Sequence, residues 1–153
     1  MNISTKSEYG LRTLIYLAAN YEREAVPARE IAEQWHVPLK YLEHILKTLK
    51  EAELIEGQVG AGGGYRLSRP ASLITAGEVI RVLDGRIAPI GCVSANEYEP
   101  CEFEPVCGLK TLWARTRAAI LGVIDQTTIA DLCIPPNRQA AVGPVSIKSV
   151  SRR

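Results

Sequence analysis

Apolar residues recur at three- and four-residue spacing along most of this chain, and one pair of short β-prone runs is joined by glycines. A late apolar stripe also runs longer than a small domain needs to cover itself. Together these features predict a mainly α fold: a winged helix-turn-helix with a long C-terminal dimerisation helix. At 153 residues the chain has room for one ordinary domain or a small domain with an appendage. The expected division is residues 1–70 for the winged helix-turn-helix, 71–134 for a cysteine loop and pairing helices, and 135–153 for a mobile basic tail.

Thr5-Lys-Ser-Glu8 has the form of a capping box, in which Thr and Glu satisfy orphan amides at a helix start. The stripe Leu11, Leu14, Ile15 and Ala18 then predicts a first helix to about Tyr21. Pro27 opens a short helix, Ala28 to Trp35, with Ile31, Ala32 and Trp35 facing inward. The turn His36-Val37-Pro38 leads to a second helix through about Ala52, whose inner stripe is Leu42, Ile45, Leu46 and Leu49. Its outer face carries Lys40, Glu43, His44 and Lys47, flanked by Tyr41. Two short helices joined by such a turn form a helix-turn-helix, whose second helix suits a DNA major groove.

The runs Leu54 to Val59 and Tyr65 to Leu67 flank Gly60-Ala-Gly-Gly-Gly64 and read as a wing. A nucleotide-binding loop is excluded, because no Gly-Lys-Ser/Thr comes after it and the loop leads into a strand. Thr75-Ala-Gly-Glu78 is a second capping box, for a helix with Val79, Ile80, Val82 and Leu83 that stops at Asp84-Gly85. From about Leu109 a longer helix places Leu112, Trp113, Thr116, Ile120 and Val123 on one face, and a second copy is its natural cover. Thr128-Ile-Ala-Asp131 starts a short last helix, ended by Pro135-Pro136. Asp131 is the last acid, so the C-terminal tail is basic.

Charges nearly cancel, with 18 Lys and Arg against 17 Asp and Glu, and 46% of residues are hydrophobic. That balance fits a soluble globular chain and does not by itself announce a nucleic-acid binder. The first residues lack the apolar core of a signal peptide, and no segment is long enough to span a membrane. A cytoplasmic setting is expected, where thiols stay reduced and clustered cysteines point to metal or redox chemistry. Cys92, Cys101 and Cys107 fall in one loop kept irregular by Gly91, Pro100 and Pro105. Thiolates are the preferred ligands of iron–sulfur clusters, with zinc as the rival metal. Three thiolates leave the fourth ligand open, and Cys133, His36 and His44 are candidates. Cys133 lies in an apolar run that suits a core residue.

The order of these parts resembles the IscR/NsrR family of bacterial regulators. The resemblance rests on Tyr9-Gly10-Leu11, Tyr41-Leu42-Glu43, Gly62-Gly63-Gly64-Tyr65-Arg66-Leu67, Gly77-Glu78-Val79-Ile80, the three cysteines and Leu112-Trp113. It covers roughly residues 1 to 134. It implies a homodimeric winged-helix transcription factor whose affinity for double-stranded DNA depends on a 2Fe–2S or 4Fe–4S cluster, ligated by Cys92, Cys101 and Cys107. Four departures are visible. Lys110 stands where some members carry a histidine ligand. Glu8 stands where others carry an acidic ligand, which would tie one subunit's head to the other's loop. Val59 replaces an arginine often found before the first wing glycine, and the gap from Cys92 to Cys101 is longer than usual.

On the expected DNA face, Lys40 and Lys47 would neutralise phosphates or reach guanine edges. Tyr41 suits a phosphate hydrogen bond, and Glu43 suits cytosine N4 as a selectivity element. His44, Arg29 and Arg66 would add base or backbone contacts. In the cysteine loop, Glu97, Glu99, Glu102 and Glu104 would lower the reduction potential of an anionic cluster. A cluster-free thiol/disulfide switch is the second reading. A cysteine-based enzyme is the third, disfavoured because no His/Asp set accompanies a thiol.

Overall fold

The structure is a computed structural model that describes residues 3–60 and 62–133. The expected basic tail and the Pro135-Pro136 stop lie outside the described residues. Six α-helices and one hairpin succeed each other: α1 (Thr5–Ala19), α2 (Ala28–Trp35), α3 (Leu39–Glu51), β1 (Ile55–Gln58), β2 (Gly64–Leu67), α4 (Ala76–Asp84), α5 (Gly108–Ile124) and α6 (Ile129–Leu132). Helix α1 ends at Ala19, two residues short of the expected Tyr21, because the Asn20 side chain donates to the Tyr16 carbonyl at 2.9 Å.

The N-cap of α1 is Ser4 rather than Thr5. The Ser4 hydroxyl accepts from the Ser7 amide at 3.2 Å and donates to Asp84, while the Ser4 amide donates to Asp84 Oδ2 at 3.0 Å. One serine thus caps α1 and ties it to the end of α4, which a Thr5 cap could not do. Glu8 is released from capping and pairs with Arg12 one turn on, at 2.5 Å. Burial of the Asp84 carboxyl favours its neutral form, but the Ser4 hydrogen bonds outweigh this and hold it below the usual carboxylate range.

The buried face of α1 is Gly10, Leu14 and Leu17 with Ser7 and Thr13, while Leu11, Ile15 and Ala18 sit half-buried at its margin. The expected stripe is therefore rotated towards α4. Helix α2 ends at His36, which adopts the left-handed conformation at φ 52°. The Val37 amide then reaches back to the Ala32 carbonyl at 2.9 Å, the bond that closes a Schellman turn. Pro38 precedes α3, and Leu42, Ile45, Leu46 and Leu49 are all sealed from solvent.

Strands β1 and β2 pair antiparallel from Ile55 opposite Leu67 to Gln58 opposite Gly64. Ile55 and Leu67 are buried and root the hairpin in the core. A further bridge joins Val26 to Tyr65 through amide–carbonyl bonds of 2.9 and 2.8 Å. Gly64 allows it, since a Cβ there would run into the Val26 carbonyl. At the tip, Gly60 and Gly62 take positive φ values of 114° and 83°.

In α4 the Thr75 hydroxyl accepts from the Glu78 amide at 3.1 Å, but the Glu78 carboxylate turns to Arg69, so only half of the expected box forms. The Thr128–Asp131 box forms completely. Helix α6 returns to α1 and to the turn just before α4, where the Ile129 amide donates to the Ile74 carbonyl at 2.8 Å, and buries Ile129. One continuous core thus runs from α1 to α6. Helix α5, roughly 25 Å long, has no buried residue, and Leu109, Leu112 and Val123 are each close to half exposed or more.

Two measurements check these contacts. Gly64→Ala should cost about 1–3 kcal/mol in denaturant unfolding, because an inserted methyl meets backbone. Asp84→Asn should lower stability by about 1 kcal/mol near pH 7. The folded carboxyl is held below its unfolded value, so its contribution is present above the unfolded pKa, about 3.9. The gap between wild type and variant should therefore close as pH falls through and below that value.

Candidate nucleic-acid interface and cysteine loop

Burial of the inner stripe of α3 leaves Lys40, Tyr41, Glu43, His44 and Lys47 exposed. Among the described residues, Lys47 approaches only Glu51, at 3.9 Å, and Arg29 on α2 only Glu33, at 3.8 Å, both in open solvent. Such pairs are weak and yield readily to a phosphate. Arg66 in the wing is held by Glu56 at 2.9 Å.

Tyr41 has support that no periodicity reveals. Its ring meets Tyr9 of α1 edge-on, with centroids 6.0 Å apart. The Arg12 guanidinium lies 5.9 Å from the Tyr9 ring and 5.5 Å from the Trp35 ring. Glu8, Arg12, Tyr9, Trp35 and Tyr41 therefore form one chain from the start of α1 to the start of α3. Trp35 is half-buried rather than fully inward, because its ring carries this cation. The only advance signal was Tyr9 and Arg12 at three-residue spacing; the partners come from other helices.

The loop from Arg86 to Cys107 is laced by polar contacts. Arg86 pairs with Glu99 at 2.9 Å, Arg117 of α5 donates to the Val93 carbonyl, and the Glu99 amide donates to the Gly91 carbonyl at 3.2 Å. Lys110 pairs with Glu104, which also accepts from the Tyr98 hydroxyl at 2.6 Å. The Lys110 hydrogen bond, with that of Tyr98, holds the Glu104 carboxyl below its usual range. The same bond holds the Lys110 ammonium above its own, with a smaller contribution from nearby Cys92. Glu99 and Glu104 are thus engaged by cations, not spread as a free acidic face.

Cys92 and Cys107 are half-buried, Cys101 is exposed, and all are free thiols. Cys107 is the N-cap residue of α5, and Cys92 lies in the 3-10 turn Gly91–Val93. The donor set has the chemistry that a cluster needs. Its placement does not match: among the described residues no three Cys, His, Asp or Glu side chains are gathered closely enough to hold a metal ion. This conformation of a single chain therefore does not fit a cluster. Of the candidates for a fourth ligand, Cys133 donates to the Ile129 carbonyl at 3.2 Å and burial pushes its thiol up. His36 caps α2 and His44 lies on the α3 face.

Comparison with known proteins places this architecture. Residues 3–135 match the Rrf2 family model, described as an iron-dependent transcriptional regulator. The chain belongs to the Rrf2 family. It is 38% identical to the regulator CymR of Bacillus subtilis over 132 residues, 86% of this chain and 89% of the relative. Over the same length it is 32% identical to NsrR of Bacillus licheniformis, covering 86% of this chain and 92% of that one. Among solved structures, CymR of B. subtilis, called there a global cysteine regulator, superposes with a TM-score of 0.74 at 36% identity, over 87% of this chain and 96% of its own. The IscR of T. potens gives 0.69 at 28% identity, over 92% and 88%. The protein is a DNA-binding transcription regulator with the winged-helix fold, and not an enzyme. Among the described residues no helix is long and apolar enough to cross a membrane.

Removing the shared anchor should loosen the loop without disturbing the head. Glu104→Ala is expected to speed amide hydrogen exchange between residues 98 and 110 while α1 to α4 keep wild-type protection.

Proposed function

We propose that this Rrf2 regulator works as a homodimer in which residues 1–70 read DNA and the 92–107 loop receives the signal through its three thiols. The group they would hold is an iron–sulfur cluster, 2Fe–2S or 4Fe–4S, with Cys92, Cys101 and Cys107 as ligands and Glu8 of the other subunit as the fourth. One observation carries the reading: three free thiols share one loop that is pinned mainly by polar pairs, beside an α5 face without apolar cover. Ion pairs close to the surface stabilise modestly, so the loop can rearrange at limited cost around a group that its described conformation does not fit. Glu8 lies exposed on α1, and Arg12 is its only partner among the described residues. Loss of that partner would disturb the Tyr9–Tyr41 contact under the recognition helix.

A second reading is a cluster-free thiol/disulfide switch. The absence of a gathered three-donor group among the described residues and the exposure of Cys101 favour it. Either way the signal acts as a population shift between two spacings of the recognition helices. Lys40, Tyr41, Glu43, His44 and Lys47 on α3, with Arg29 and Arg66, are the proposed DNA contacts.

Iron and acid-labile sulfide in protein purified without oxygen decide between the readings. Both should be present in stoichiometric amounts and lost in Cys92→Ser; their absence, with a disulfide formed on oxidation, selects the switch. In Glu8→Ala the absorption and Mössbauer spectra should change, and identical spectra would remove Glu8 from the ligand set. With Lys40 and Lys47 replaced by alanine, binding to duplex DNA should weaken, and its logarithmic salt slope should fall by roughly 0.9 per lost phosphate contact.

A further inference from the structure

Behind the cysteine loop, on the side of α5 turned towards α4, lies a small cavity of about 50 Å³. Its walls include Arg81 of α4, Arg117 of α5, Ser94 and Asn96 of the loop, with Ile87 and Leu121 as apolar floor. A buried water needs only about 10–15 Å³ of such space, so the cavity has room for a few heavy atoms. Its lining is rich in donors. Arg81 Nη2 is bound by Asp125 Oδ2 at 2.7 Å, and that pair is neutral as a unit. Arg117 is different: Nη1 donates to the Val93 carbonyl, and the buried Nε–H has no partner among the described residues.

Ser94 is 7% exposed, and its hydroxyl oxygen already accepts from the Glu97 amide at 3.1 Å, which leaves its proton free to donate. Of the acids nearby, Asp125 holds Arg81 through Oδ2 while its buried Oδ1 lies against Gly77 with no hydrogen-bond partner among the described residues, and the Glu97 carboxylate lies close to Gly85. An uncompensated guanidinium, a free hydroxyl and an amide around a cavity this small call for an acceptor-only ligand with several oxygens.

We propose that this cavity binds one small oxyanion per protomer, of the size of sulfate, nitrate or acetate. The anion is held by Arg117 Nε, Ser94 and Asn96, with Arg81 beside it. Bound there, it joins the segment just after Cys92 to both α4 and α5, and so steadies the loop from behind. The site stands apart from the thiols and holds whichever reading of the loop is right.

Isothermal titration of the full-length protein with sodium sulfate, sodium nitrate and sodium acetate, in a fixed chloride background, tests it. At least one anion should give saturable binding with one site per protomer, and the preferred one reports the ligand's shape. Arg117→Gln and Asn96→Ala should each weaken that binding by roughly tenfold, the loss of one charge-assisted or neutral hydrogen bond to the anion. Arg115→Gln, an exposed neighbour on the same helix, should leave it unchanged. Asn96 is exposed, so its variant keeps the fold and decides the matter should Arg117→Gln fail to fold. Heat that never saturates for any of the three anions overturns the proposal, as does equal affinity in Asn96→Ala.

Discussion

Four side chains on one stripe of α3 are sealed from solvent, and the rest of the molecule is arranged around that seal. Leu42, Ile45, Leu46 and Leu49 are covered by α1, α2 and α4 and by the root of the hairpin. Full burial of such side chains is worth about 1.5–3 kcal/mol each, so rotation of α3 about its axis is prohibitively costly. The opposite face, with Lys40, Glu43, His44 and Lys47, has no choice but to meet solvent or a ligand. The exposure of the face proposed to meet DNA is therefore a consequence of packing on the other one.

The remaining contacts divide by how firmly they hold. Around the head they are deep or doubled: the Ser4–Asp84 tie, the Val26–Tyr65 bridge and the Schellman turn at His36 lock α1, the wing and α3 together. Around the cysteine loop they are mostly ion pairs near the surface, which can be exchanged at small cost. A firmly held head and a loosely held loop on one core suit the proposed division between reading DNA and receiving a signal. The chain of Glu8, Arg12, Tyr9 and Tyr41 runs from the exposed start of α1 to the first turn of the recognition helix. Arg12 is shared between a carboxylate and two rings, so a change at Glu8 of the kind proposed would act first on Arg12.

The periodic elements were legible from residue order because their signals are local. The α3 stripe, the Gly-rich hairpin and the Thr128–Asp131 box each arise from spacing alone, and the family resemblance rested on the same residues. Where the reading went astray, a distant residue had intervened. Ser4 displaced Thr5 as cap because Asp84, eighty positions away, needed it. Glu78 left its box for Arg69, and the α1 stripe turned towards α4. Two of the four loop acids, Glu99 and Glu104, are held by Arg86 and Lys110, cations from outside the cysteine segment.

Residue order by itself determined the set of elements, the face of α3 that stays wet and the presence of three thiols in one irregular loop. Periodicity and turn chemistry act within a few residues, and they suffice for that much. Only the tertiary structure decided which caps form, how Tyr41 is braced and where Arg117 points. It also showed that among the described residues of one chain no three Cys, His, Asp or Glu side chains gather closely enough to hold a metal ion. Those outcomes depend on contacts between residues far apart in sequence, whose geometry exists only once the core has closed.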